Sequence, residues 1–552
     1  MISIILTWTV ITVFSYVIGR TIVLSCYRKE RETVLDSPDI SVLAGISFMA
    51  VLAQTFSIFS GVGAAAFLAV AIIFLICLFI LIRKRDFSVL RIESRSVFKV
   101  VVFSVLGIIA LMYTNMPPQH YDTYLYHAQA IRWIEEYGLV PGLGNLHFRL
   151  AYNSAFMSLQ ALFSFKWLLG QSLHTLNGLI TVWMIGYSVF SSFREREFKC
   201  SDMMKMFGLL YVLYDGTHIS SPNTDTFALL LVYYIFIKWM EFSEKEEKGY
   251  RPYALLCVLA VFATTLKLSA GIVVILMIFP LIKMIKERKV FSIFKHLGMG
   301  ILLLAPFFVR SFLISGYFLY PYEASGFIDV DWKMPAGVLE DDKAMIIAWG
   351  RGNLDVSRNS EHLWQWVGEW FSSIEIPWKI LIVLSVISIV FILVQTIVRK
   401  DIKKTTEEYF LYMGMLLGLG FWLLTAPLPR YGAVYMIGFV AVAVYMLAKK
   451  LVKREKSVKI LVRTYLGIIA AGYLGIFLIF GKINGIPFPL SAIQSDYENK
   501  PTHSIEKNGI VFGVPVAGDQ TGYDPFPTTL MYSEEEITVN LRGTDLPQGF
   551  SN

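Results

Sequence analysis

Residues 62–83 read VGAAAFLAVAIIFLICLFILIR, and Lys84 and Arg85 follow at once. No charge interrupts the run before Arg83. A helix of roughly 20 apolar residues crosses a hydrocarbon layer of about 30 Å. In that layer a helix satisfies every backbone N–H and C=O internally. This stretch therefore reads as a membrane span with a basic flank. The pattern repeats along the chain. Spans are expected near 1–26, 40–61, 62–83, 99–115, 169–193, 203–221, 223–240, 252–266, 268–286, 297–315, 374–397, 408–426, 431–448 and 458–480. Composition agrees: of 552 residues 55% are hydrophobic, 15% aromatic and only 16% charged. A soluble protein of that make-up would lack the polar surface to cover its core. The expected class is an all-α polytopic membrane protein with about fourteen transmembrane helices.

The net charge of +7 does not point to nucleic acid, because the cations lie between apolar runs and form no basic domain. They set topology instead. The loops after odd-numbered spans hold 32 of the 49 Lys and Arg residues. Those loops read as cytoplasmic, which puts 116–168, 316–373 and the tail 481–552 outside, together with both termini. The four cysteines lie in or beside apolar segments, so neither a disulfide framework nor a CxxC metal site is expected. The first 25 residues have no basic n-region and read as a retained span. There is no N-x-Ser/Thr sequon, which suits a bacterial source.

The outer segments carry the polar chemistry. Residues 122–137, DTYLYHAQAIRWIEEY, read as an amphipathic helix with Gly138 as its C-terminal stop. Residues 150–165, LAYNSAFMSLQALFSF, read as a second one. Both are expected to lie along the interface. Six ionisable residues sit at or just beyond the outer ends of spans: Asp122, Asp215, Asp225, Lys267, Arg310 and Arg430. A charge at membrane depth costs several kcal/mol and persists where it lines a wet cavity or carries function. Arg20 and Arg463, near inner ends, read as side chains reaching for the opposite interface.

Four stretches resemble the GT-C class of membrane glycosyltransferases, which includes protein O-mannosyltransferases and the aminoarabinose transferases of lipid A. They are HYDTYLYHAQAIRWIEEYGLVPG (His120–Gly142), SPNTDTFALLLVYY (Ser221–Tyr234), ATTLKLSAG (Ala263–Gly271) and PLPRYGAVY (Pro427–Tyr435). GYFLYP (Gly316–Pro321) resembles the Gly-x-Pro-x-Tyr-Pro stretch of the same class. The resemblance covers about residues 99–480, and it rests on the order and side of the motifs. It departs in two ways: three extra spans come first, and YDTYLYHAQ shows one acid where relatives often show a pair. The architecture and the GLGNLHFR segment are most similar to bacterial membrane proteins of this class. The expected organisation is extra N-terminal spans at 1–98, a GT-C-like bundle at 99–480 and an extracytoplasmic tail at 481–552.

The resemblance implies an inverting transfer of sugar from a polyprenyl-phosphate donor to an extracytoplasmic glycan, lipid or protein, at the cell membrane. Asp122 is the candidate base, and after Pro117 and Pro118 it also fits a helix N-cap. Lys267, Arg310 and Arg430 are candidates for the donor phosphate, since fixed cations in a water-poor site stabilise the leaving charge. Their plainer role is to reach the interface. Asp225, Tyr126, His127 and Tyr431 are candidates for acceptor or sugar contacts, with Asp225 equally placed to cap its own helix. His147 and Arg149 flank the turn between the loop helices. No motif calls for a cofactor, although His127 with Asp122 and Asp225 has the ligand types for a divalent metal. A transporter or flippase of lipid-linked sugars, or a polysaccharide polymerase or ligase, fits the same sidedness. The first usually shows inverted repeats; the second is expected to use an Arg-rich outer loop.

Overall fold

A computed structural model describes residues 1–27, 37–86, 96–193, 198–214, 218–245, 249–398, 405–451, 455–483, 491–507, 509–530 and 539–551. Asp215 lies outside the described residues, as do the basic stretches 28–31, 87–95, 194–197, 246–248, 399–404 and 453–454.

The fold is a helical membrane bundle. Eleven helices among the described residues are long and apolar enough to cross a membrane, from Ile2–Tyr27 to Ser457–Ile479. The other three expected spans are also helical but shorter: Leu176–Ser191, Cys200–Tyr214 and Arg251–Leu266. At 1.5 Å per residue they reach about 22–24 Å, less than a full hydrocarbon thickness. The helix Thr224–Glu244 is enclosed by protein over its whole apolar window. By contrast, Ala64–Arg83 and Ile376–Val398 keep most of theirs on the outside of the bundle.

The helices at 2–27 and 38–59 approach so closely that two glycines are required. A Cβ on Gly19 would lie 1.7 Å from the Ser41 carbonyl oxygen, and one on Gly45 would lie 1.8 Å from that of Ser15. Small residues that let backbones meet are a main source of helix association in lipid. Arg20, expected to reach for the interface, is 4% exposed and instead pairs with Asp86 at 2.8 Å. A partner carboxylate close at hand removes the need to reach water.

The chain returns to one end of the bundle at three points. The Met1 ammonium donates to Asn115 Oδ1 at 3.1 Å and to the Ser491 carbonyl at 2.5 Å. At that end the loop after Val97–Thr114 folds as a π-turn, Thr123–His127, that runs into the helix Ala128–Glu136. Gly138 stops the helix with φ +80°, and a Cβ there would meet the Ser57 and Ser60 carbonyl oxygens at 2.4 and 2.3 Å. The second loop helix differs from expectation. It spans only Ala155–Leu162, and all eight of its residues are buried. The side expected to face water is covered by packing against the helices at 38–59 and 128–136.

The tail departs from the all-helical pattern. Thr502–Lys507 pairs antiparallel with Ile510–Pro515, and Asn540–Leu541 pairs with Phe550–Ser551. These pieces clamp the first loop. The Gln129 amide donates to the carbonyls of Gly522, Tyr523 and Pro525 at 3.1, 3.1 and 2.9 Å. The Tyr523 hydroxyl donates to Glu135 at 2.5 Å, and the Phe550 N–H to the Pro141 carbonyl at 2.9 Å.

The close helix pair makes a testable claim. Gly45→Val is expected to destabilise the protein by at least about 2 kcal/mol through forced helix separation, read as a lower thermal midpoint in detergent. Gly107→Val, where a Cβ meets nothing within 4 Å, is the control and leaves the midpoint nearly unchanged.

Candidate functional site

The site is built where three chain segments meet at the loop end of the bundle. Ser221 fixes the first. Its hydroxyl oxygen accepts the N–H groups of Gln119 and His120, both at 2.8 Å. Asn177 holds that segment by donating its amide to the carbonyls of Ser221 and Asn223, both at 2.8 Å. The start of the next helix is thereby set, and Asn223 caps it by accepting the Thr226 N–H at 2.9 Å.

That cap changes the reading of Asp225. Since Asn223 does the capping, Asp225 is left in the first turn of the helix, where it binds Lys267 and lies 3.3 Å from Arg430 Nε. Lys267 comes from the break between Arg251–Leu266 and Leu268–Met277, and Arg430 from the start of Pro429–Leu451. One carboxylate thus joins the ends of three elements. Tyr431 completes the group: Lys267 Nζ sits 3.8 Å from its ring centre, and Arg430 donates to its hydroxyl at 3.2 Å. Such contacts add cation–π attraction to the ion pairs.

Asp122 lies near enough to this group for its charge to act on Arg430. It sits at the N-terminal end of the π-turn, yet its side chain makes no cap hydrogen bond. Its own N–H donates to His120 Nδ1 at 3.2 Å, and its carboxylate lies 4.0 Å from that nitrogen. The charge of Asp122 acts on His120, His127, Tyr126 and Arg430. The imidazole of His120 stands between those of His127 and His218, at 6.0 and 5.3 Å between ring centres. Burial holds His120 below the usual histidine range and pushes His127 down to about 3, so both are neutral near pH 7. Burial likewise holds the Tyr126 hydroxyl well above its usual range and keeps it protonated.

Of the residues picked from sequence, the structure gathers Asp122, Asp225, Lys267, Arg430, Tyr431, Tyr126 and His127. Arg310 is not among them. It is 2% exposed, and it donates to the neutral oxygens of Asn153 (3.3 Å) and Ser57. There it ties the first loop to the helix at 38–59. Among the described residues no group of three or more His, Cys, Asp and Glu side chains is placed to hold a metal ion. Asp225, the expected third ligand, is committed to its two cations. His147 and Arg149 stand apart from the cluster's ion pairs. Arg149 lies over the rings of Phe148 and Trp349.

Sequence reasoning assigned no role to His120, His218 or Ser221, nor to Tyr152 and Tyr320, which extend an aromatic row from Tyr126. Tyr126, Tyr152 and Tyr320 follow one another at 5.7 and 5.6 Å, and the Tyr152 hydroxyl donates to buried Asp342 at 2.6 Å. His120 and Ser221 were visible as polar residues inside the two motif stretches. The row had no local signal, because its members come from three distant segments.

A helical bundle with an ion-pair cluster under a folded loop and tail defines a polytopic membrane protein with a polar site at that end. The chain belongs to the family described as Domain of unknown function (DUF8201), whose family model matches residues 1–437. The match includes the three N-terminal spans, Asp122, Asp225, Lys267 and Arg430. No curated protein and no solved structure matches the chain.

The buried imidazoles set a pH dependence. Burial also pushes His147 down to about 3, against about 6.5 for an exposed histidine. Below about 6.5 the unfolded chain binds protons that the folded one refuses. The stability held by neutral His127 and His147 is complete above that pH and is lost as pH falls towards about 3. The thermal midpoint in detergent is expected to drop from pH 7 to 5.5, before most carboxylates titrate, and His147→Gln should flatten the drop.

Proposed function

We propose that this protein is a membrane glycosyltransferase of the GT-C kind, moving a sugar from a polyprenyl-phosphate donor to an acceptor outside the cytoplasm. The observation that carries the reading is the juxtaposition of Asp122, free of any capping bond, with the Lys267–Asp225–Arg430 group. A carboxylate beside fixed cations is what an inverting transfer requires.

In this reading Asp122 takes the proton of the acceptor hydroxyl or amine as that atom bonds to the anomeric carbon. The bond from that carbon to the phosphate oxygen breaks, and its electron pair leaves with the phosphate. Lys267 and Arg430 meet the developing charge, Arg430 with a fork suited to phosphate and Lys267 as a point charge. Asp225 keeps both cations in place, and Tyr431 fixes their direction. Neutral His120 and His127 leave Asp122 as the base of the group. Tyr126 and Tyr431 offer faces for sugar. The short helices Leu176–Ser191, Cys200–Tyr214 and Arg251–Leu266 make fourteen crossings. With the cations of the opposite loops, this count supports a site on the outer side. The meeting of Met1, Asn115 and Ser491 at one end supports an even number of crossings.

The test is transfer from a labelled polyprenyl-phosphate sugar in vesicles containing the purified protein. Asp122→Asn is expected to lower the rate about 100- to 10,000-fold while inserting normally. Arg430→Gln should weaken donor use without removing the base. A normal rate in Asp122→Asn would sink the base assignment, and movement of donor with no acceptor modified would point to a transporter.

A further inference from the structure

The far end of the Thr224–Glu244 helix holds a second polar site. A cavity of about 970 Å³ opens there, at the upper end of the range typical of ligand pockets. Thirteen residues separate Asp225 from Lys238, about 20 Å along the helix, so this cavity is distinct from the Asp122 site.

The cavity is amphiphilic. Its deeper wall is apolar and includes Val42, Leu43, Phe103, Val182, Trp183 and Leu231. Its other end is ionic. Lys238 pairs with Asp39 at 2.8 Å and with Glu241 at 2.9 Å. Lys205 pairs with Glu241 at 2.5 Å and lies 3.7 Å from Asp202. Tyr234 donates to Asp39 at 2.7 Å. The side chains of Lys205 and Lys238 are 3% and 8% exposed, so this is a buried network and not a solvated face.

The order of charges along two antiparallel helices is the informative feature. On Thr224–Glu244 the sequence from the apolar wall outward is Leu231, Tyr234, Lys238, Glu241, Glu244. On Cys200–Tyr214, which runs the other way, Lys205 lies deeper and Asp202 nearer the end. The Glu244 carboxylate accepts the Cys200 N–H at 2.6 Å and so holds the two helices in this register. On both helices, then, a lysine stands about one turn closer to the apolar wall than a carboxylate. That is the order in an aminoethyl phospholipid: hydrocarbon, then phosphate, then ammonium. At those levels four carboxylates (Asp39, Asp202, Glu241, Glu244) face two lysines, which disfavours a head group carrying only negative charge. Lys199 and Lys245 also line the cavity, but Lys245 is seven residues beyond Lys238, about 10 Å farther from the apolar wall. It is out of reach of a phosphate joined directly to the acyl-bearing glycerol.

We propose that this cavity holds one phospholipid with a primary-ammonium head group. An acyl chain lies along the apolar wall, the phosphate at the level of Lys205 and Lys238, and the ammonium at the level of Asp202, Glu241 and Glu244. The inference is independent of the transferase reading.

The full-length protein, purified in micelles holding equimolar phosphatidylethanolamine and phosphatidylglycerol, tests this by native mass spectrometry. The expected result is one retained phosphatidylethanolamine, at least about tenfold over phosphatidylglycerol. Val42→Trp fills the apolar wall without replacing any member of the ion pairs and is expected to lower retention about tenfold at an unchanged thermal midpoint. Val182→Phe serves the same purpose should the first variant fail to fold. Equal retention of the two lipids, no retention by the unaltered protein, or full retention in the folded filling variant would overturn the proposal.

Discussion

A charge within a membrane bundle has to find its opposite, and the pairing of Asp225 with Lys267 and Arg430 shows how much architecture that demand can fix. The three residues come from three elements whose order along the chain spans more than two hundred positions. Removing a partner from such a pair leaves an uncompensated buried charge, which costs more than the pair contributes. The helix starts at 224 and 429 and the break at 267 are therefore held in mutual register. The same demand is met at the opposite end of the Thr224–Glu244 helix, where Lys205 and Lys238 share three carboxylates. Between the two ionic ends the helix is apolar and fully enclosed, so it acts as the axis of the molecule.

The division of labour among neighbouring side chains keeps the carboxylates of Asp122 and Asp225 out of helix capping. Asn223 takes the capping role that Asp225 had equally good sequence credentials to fill. Asp122 is held by its backbone, through His120, and leaves its carboxylate unspent. The π-turn contributes as well: one extra residue in the turn changes which side chains share a face, and such turns are frequent at functional sites. Tyr126 and His127 sit within that turn and face the cluster.

The membrane spans were legible because twenty apolar residues with a basic flank have few other physical readings. The polar cluster was legible in part: Asp122, Asp225, Lys267 and Arg430 betrayed themselves as ionisable groups at span ends. Arg310 met the same criterion but lies outside the cluster, because sequence cannot distinguish a guanidinium tied to Asn153 and Ser57 from one aimed at a cavity. Arg20 misled for a related reason. Its partner Asp86 lies sixty-six residues away, beyond any local pattern. The second loop helix looked amphipathic, but its polar residues Ser158 and Gln160 are covered by neighbours that no window on the sequence includes. The tail was the least legible part, since its strands gain meaning only from the loop they cover.

That last contact has a consequence in time. Residues 120–142 leave the ribosome long before residues 519–551, yet the hydrogen bonds of Gln129, Glu135 and Pro141 are completed by Gly522, Tyr523, Pro525 and Phe550. Domains ordinarily form from the N-terminal side as synthesis proceeds. Here the loop that carries Asp122 stays unfinished until the spans that follow it have been threaded into the bilayer. The polar face is assembled only once residues 519–551 have been made, so a chain truncated before them can hold all the described spans and still lack an organised surface above them.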